Sequence, residues 1–192
     1  MDFASWSEPV EFIADSNYAA NPVYYGNSRQ WQPGLLKYNE NELWVLWYLS
    51  GGNTGTFMSK LSSTPGAKWI NRKIVNRGVI DGISHTVFVS ANPTKLSSGR
   101  VLVPVTYQHE PVYNGFLYTD DGGANWYASS LISLPESDGA MWEPCVFQQQ
   151  NGKLRAFMKN RTSVEVGPAK GLLTCLGESL GPDGEVVFET DA

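Results

Sequence analysis

Cysteine occurs only twice in the 192 residues, which excludes a disulfide-dense scaffold and leaves the fold to rest on a hydrophobic core. Positive charge is also scarce: 14 Lys and Arg stand against 19 Asp and Glu, for a formal charge of −5. With no basic cluster, no nucleic-acid partner is expected. No apolar run is long enough to cross a bilayer as a helix, so no membrane partner is expected. Residues 1–20 lack the basic start and apolar core of a secretory leader. Charged residues make up only 17%, and no heptad or amphipathic helical pattern is visible. Helical architectures are thereby disfavoured.

What the chain does have is glycine, at 19 residues, together with 42% hydrophobic and 12% aromatic content. That mixture suits short strands, many turns and a sizeable core. The most informative stretch is Thr119-Asp120-Asp121-Gly122-Gly123-Ala124-Asn125-Trp126. An Asp that accepts hydrogen bonds inside its own turn, with a Gly free to take positive φ, folds a tight hairpin under the Trp. Ser62 to Trp69 keeps Ser, Gly and Trp at the same spacing, with Thr64 in place of the Asp. Trp6 and Phe188 extend the series, so that landmarks fall at 6, 69, 126 and 188.

A second landmark runs in phase. Trp31-Gln32-Pro33 precedes Leu43 to Trp47, as Trp142-Glu143-Pro144 precedes Leu154 to Met158, at identical offsets. Gly99-Arg100-Val101 matches Gly152-Lys153-Leu154, making Leu43, Val101 and Leu154 equivalent. Self-similarity at this period predicts an all-β fold, a β-propeller of four-stranded antiparallel blades. The expected units are a leading strand over 1–12 and blades over 13–75, 76–132 and 133–192. About three blades do not close a ring. The reading is therefore a segment of a six- or seven-bladed propeller, or a unit that self-associates through unpaired blade edges.

Antiparallel hairpins bring the start of each first strand and the end of each second strand to one end of the blade. That mouth gathers Trp31, Gln32, His85, Trp142 and Glu143 with Tyr48, Tyr107, His109, Lys159 and Arg161. Arg161 and His109 are read as equivalent. Aromatic faces stack on sugar rings, and Arg and Lys pair with carboxylates. The apolar flanks of Glu143 favour a raised carboxyl pKa, useful to an acid or base. Glu143, His85, His109 and Tyr107 are the catalytic candidates. Arg161, Lys159, Trp142, Trp31, Gln32 and Tyr48 are the substrate-binding ones. The histidine spacing matches no zinc pattern, so no metal and no cofactor are expected. Arg72, Arg77, Arg100 and Arg155 read as solvated. Cys145 and Cys175 sit in apolar stretches, as buried free thiols or as a disulfide.

These motifs resemble the sialidase superfamily, whose eight-residue repeat is the Asp-box. The resemblance rests on 119–126, on its weaker copy at 62–69, on Leu96 to Pro104 and on Met141 to Leu154. It implies a glycoside hydrolase acting on terminal acidic sugars, with Glu143 in the family's Trp-Glu-Pro segment. Lys159 stands where the following strand usually ends in Arg, with Arg161 two residues on. The resemblance places the family's Arg-Ile-Pro motif upstream and its nucleophilic Tyr downstream, so this stretch alone is expected to be inactive. It also implies a secreted full-length protein with a glycan partner. Two alternatives remain open. One is a polysaccharide lyase that cleaves a uronic-acid linkage with His or Tyr as base. The other is a non-catalytic glycan-binding propeller.

Overall fold

A computed structural model describes residues 30–49, 55–75, 77–109, 112–132, 140–161, 172–179 and 186–190. The strand expected over 1–12, with Trp6, lies outside these residues. Among the described residues there is no helix, and the strands form three antiparallel sheets. The first holds β1 (Gln30–Asn39), β2 (Glu42–Leu49), β3 (Gly55–Ser62) and β4 (Ile70–Val75), in that order. The second holds β5 (Arg77–Ile80), β6 (Ile83–Val89), β7 (Thr94–Lys95), β8 (Val101–Gln108), β9 (Tyr113–Thr119) and β10 (Tyr127–Ala128). Its order is β10-β9-β8-β6-β5, with β7 also on β8. The third holds β11 (Ala140–Gln148), β12 (Leu154–Arg161), β13 (Leu172–Ser179) and β14 (Val186–Thr190), in order.

The second sheet is covered on both faces, and this explains why β8 is apolar without alternation. Val101, Val103, Val105 and Tyr107 pack with Trp44, Leu46 and Met58 of the first sheet. Leu102 of the same strand packs with Phe116, Val146, Leu154 and Met158, joining the third sheet. Fully burying one such side chain contributes about 1.5–3 kcal/mol, so these two interfaces hold the stack together.

The expected hairpin equivalence is present in detail. Gly99 and Gly152 both take positive φ, at 94° and 85°. Leu96 N–H donates to Arg100 O at 2.8 Å and Gly99 N–H to Leu96 O at 2.9 Å. Gln149 with Lys153, and Gly152 with Gln149, repeat both bonds at 2.7 and 2.9 Å. Since β8 and β12 then run in step from Val101 and Leu154, Arg161 aligns with Gln108. The expected match of Arg161 to His109 is off by one residue.

Three further expectations are corrected. Phe188 lies inside β14, whereas Trp69 and Trp126 directly precede β4 and β10, so Phe188 is out of phase with them. Arg100 is buried at 2% exposure, with Nε and Nη2 each 2.7 Å from the Asp120 carboxylate and its guanidinium over the Tyr118 ring. A strand covered on both faces leaves its first residues no route to solvent. Cys145 is a free, exposed thiol, on the face of the third sheet turned away from the second. It pairs with Phe157 on β12, while Cys175 lies on β13 opposite Ala156. Two strand spacings, about 9–10 Å, exceed what a disulfide spans.

Candidate functional site

The Asp-box turn, between β9 and β10, is fastened from both sides. Thr119 Oγ1 donates to Asp121 Oδ1 at 2.8 Å and accepts from Gly123 N–H at 2.9 Å. Asn125 donates its N–H and side-chain amide to the two Asp121 oxygens, at 2.9 and 2.7 Å. Lys60 and Arg72 of the first sheet donate to the carbonyls of Gly122 and Gly123. Arg72 is thus engaged rather than merely solvated. Gly123 has φ of 84°, and a Cβ there would fall 2.7 Å from Met58 Cε, so no other residue fits without a shift. In the weaker copy, Thr64 N–H donates to Ser62 Oγ at 3.2 Å, so a hydroxyl pair replaces the carboxylate.

Asp121 is therefore a fold residue. The Asn125 N–H bond, ahead of the other donors, holds its carboxyl at about 2, against an ordinary 3.8. A depressed folded-state pKa gives stability that is present above the ordinary value and lost as pH falls from about 4 towards 2. Acid titration of tryptophan fluorescence should show a step in that window that Asp121→Asn makes shallower. An unchanged profile would separate the turn from acid unfolding.

The opposite ends of the strands form the mouth. Trp31 pairs with Tyr48, Phe88 with Thr106 and Trp142 with Lys159, at the same station in each sheet. The second-sheet counterpart of Trp31 and Trp142 is thus Phe88, which the sequence reading missed. The sequence alone puts the start of that strand near Ser84-His85, because the β5–β6 hairpin adds residues before the station. Asp81-Gly82, both at positive φ between apolar residues, was the available signal for that hairpin. The side chains of Trp31, Gln32, Trp142, Lys159 and Arg161 lie outside the described residues, so their placement here is by register alone.

Two β-bulges coincide with the Trp-x-Pro segments. From Trp31 to Gly34, β1 advances three residues while β2 advances two, Tyr48 to Leu46. From Trp142 to Cys145, β11 does the same against Lys159 and Phe157. Glu143 sits in the second bulge with φ of 59°, exposed to solvent, while Pro144 is buried. The apolar enclosure expected for Glu143 is not there. Its left-handed backbone costs about 1–2 kcal/mol for a residue with a Cβ, the kind of strain that collects at functional positions.

The histidines meet, as their positions suggested. His85 and His109 lie edge to face with ring centroids 5.5 Å apart, and Tyr113 lies 5.4 Å from His85. His85 is wholly buried; among the described residues neither ring nitrogen makes a well-formed hydrogen bond, although the Tyr107 backbone lies close, whereas His109 is exposed. Burial first, then the neighbouring His109 charge, lowers the pKa of His85. Tyr107 is buried and its ring packs against Gly78; burial pushes its hydroxyl up to about 12. Tyr48 is also buried, with its ring 5.7 Å from Phe88. These two tyrosines are packing elements rather than presented site groups. Among the described residues, no three His, Cys, Asp or Glu side chains gather as metal ligands. An open groove of about 540 Å³ lies at the far end instead, lined by Phe147, Gln148, Gln149, Gln150 and Asn151.

The family model described as a BNR repeat-like domain matches residues 2–169. The chain belongs to that family. No curated protein matches the sequence. The BNR repeat-like chain is similar in fold to the Hadza microbial sialidase Hz136, with a TM-score of 0.61 and 15% identity, over 87% of this chain and 34% of that one. It is also similar to a Dyadobacter fermentans protein of unknown function, with a TM-score of 0.57 and 18% identity, over 84% of this chain and 50% of that one. The BNR repeat-like chain thus spans half or less of these two. Such identities show the fold alone, a sialidase-like propeller of stacked antiparallel sheets.

Proposed function

We propose that the chain is part of a sialidase-like glycoside hydrolase that acts on terminal acidic sugars of glycans at the strand-end mouth. The observation that carries this reading is Glu143, an exposed carboxylate on a strained bulge beside the end of β12. A carboxyl group there can exchange protons with a substrate or polarise a nucleophile. Lys159 and Arg161, two residues apart on β12, supply cations for a sugar carboxylate. Trp31 and Trp142 supply stacking faces at matching stations. The sialidase among the similar structures supports the same class. The proposal concerns the complete protein, since the similar structures are longer than this chain.

The histidine pair favours a second reading, a lyase acting on a uronic-acid linkage. An exposed His109 can take the proton next to the uronate carboxylate, with neutral His85 behind it. Tyr107, at about 12, is a poor base for that step. Incubating the complete protein with a sialoside and with a uronate polysaccharide separates the readings. Free sialic acid is the expected product. Ultraviolet absorbance from an unsaturated uronate would replace hydrolysis by elimination. Binding without product would make the propeller a glycan-binding module.

A further inference from the structure

We propose that His85 is an acid-sensitive latch, holding the β5–β6 hairpin against the strand ends while neutral and releasing it when protonated. The proposal goes beyond the glycan reading and stands without it. Among the described residues, the other fastenings of the hairpin are limited in extent. β6 pairs with β8 only from Thr86 onward, so residues 83–85 have β5 as their ladder neighbour. β5 ends the sheet, and its Val79 is 69% exposed. Gly78 rests on the Tyr107 ring, where a Cβ would fall 2.7 Å from Cε1. Ile80 packs against the core shared with the first sheet, and His85 joins the hairpin to residues at the facing ends of β8 and β9. It does so with His109 and Tyr113 edge-on to its ring.

A proton on His85 would be a buried charge with no well-formed side-chain acceptor at either nitrogen among the described residues, and with the Tyr107 backbone as its nearby polar group. The titratable groups facing it are His109, Tyr113 and Asp81, with the Tyr107 backbone also close. His109 adds like charge; Asp81 and the Tyr107 backbone favour the proton, but burial and His109 oppose it more strongly. Glu110, next to His109 in sequence, lies outside the described residues. With the closed-state pKa lowered, the open hairpin binds the proton more tightly. The latch is therefore at full strength above the ordinary value of 6.5 and weakens as pH falls below it.

Amide hydrogen exchange on the full chain tests this, comparing residues 83–86 with residues 101–105 at about pH 7.5 and about pH 5. After correction for intrinsic rates, the hairpin should lose about tenfold in relative protection on acidification. His85→Phe keeps an aromatic ring with no proton to accept, and should retain protection at both values. Equal acid loss in wild type and variant, or none in wild type, would overturn the latch. If His85→Phe fails to fold, the imidazole titration of wild-type His85 decides by nuclear magnetic resonance. A midpoint below the ordinary value, with the hairpin opening alongside, supports the latch. A midpoint at or above it, with the hairpin closed, sinks it.

Discussion

Glu143→Gln in the complete protein should cut turnover of the acidic glycan by roughly 10²–10⁴-fold, the usual share of a positioned acid or base. The substitution keeps shape and removes charge. Because Glu143 is exposed, the melting temperature should stay put, and the loss should appear in kcat more than in KM. A companion variant sharpens the result. Glu143→Gly relieves the left-handed backbone at φ 59°, and should leave stability equal or higher by up to about 1 kcal/mol while activity is lost. Full activity in Glu143→Gln would remove Glu143 from the chemistry. A large stability loss in Glu143→Gly would show that the bulge, not the carboxylate, needs this residue.

Trp44→Ala should destabilise the fold by about 3–5 kcal/mol, read as a shift in urea midpoint at unchanged slope. Trp44 has no exposed surface and stands where the first two sheets meet. Tyr38 stacks on it at 4.2 Å, Trp126 meets it edge-on at 6.5 Å, and Lys60 Nζ lies 4.6 Å above its ring. Its Nε1 donates to Glu42. Removing the indole therefore opens a cavity and frees the lysine that caps the neighbouring turn. A loss under about 1 kcal/mol would mean the sheets do not depend on this joint.

Much of the scaffold was legible because its rules are local. Thr119, Asp121, Gly123 and Asn125 hydrogen-bond to one another within their turn, and Gly99 and Gly152 mark equal hairpins. What failed was whatever depends on a neighbouring sheet. Arg100 follows a turn, yet packing on both sides of β8 buries it. Cys145-Val146-Phe147 is apolar throughout, and only the sheet's packing partner decides that Val146 faces in while Cys145 and Phe147 face out. The site was half legible. Register placed the strand ends together, but burial of Tyr48 and Tyr107 and exposure of Glu143 are three-dimensional outcomes. The bulge at Glu143 was written in sequence as Trp-x-Pro repeated, a pattern whose backbone meaning emerges only from pairing.

Lys60 and Arg72 belong to the first sheet but complete a turn of the second. The second sheet is then a unit whose turn carbonyls are satisfied by its predecessor. Such an array behaves as a one-dimensional cooperative chain with nearest-neighbour coupling, and its joints carry the cooperativity. Cutting the polypeptide between β4 and β5 would separate two sheets and also uncap carbonyls on the far side of the cut. Modular exchange of single sheets between relatives should therefore carry the basic pair of the donor along with the turn it caps.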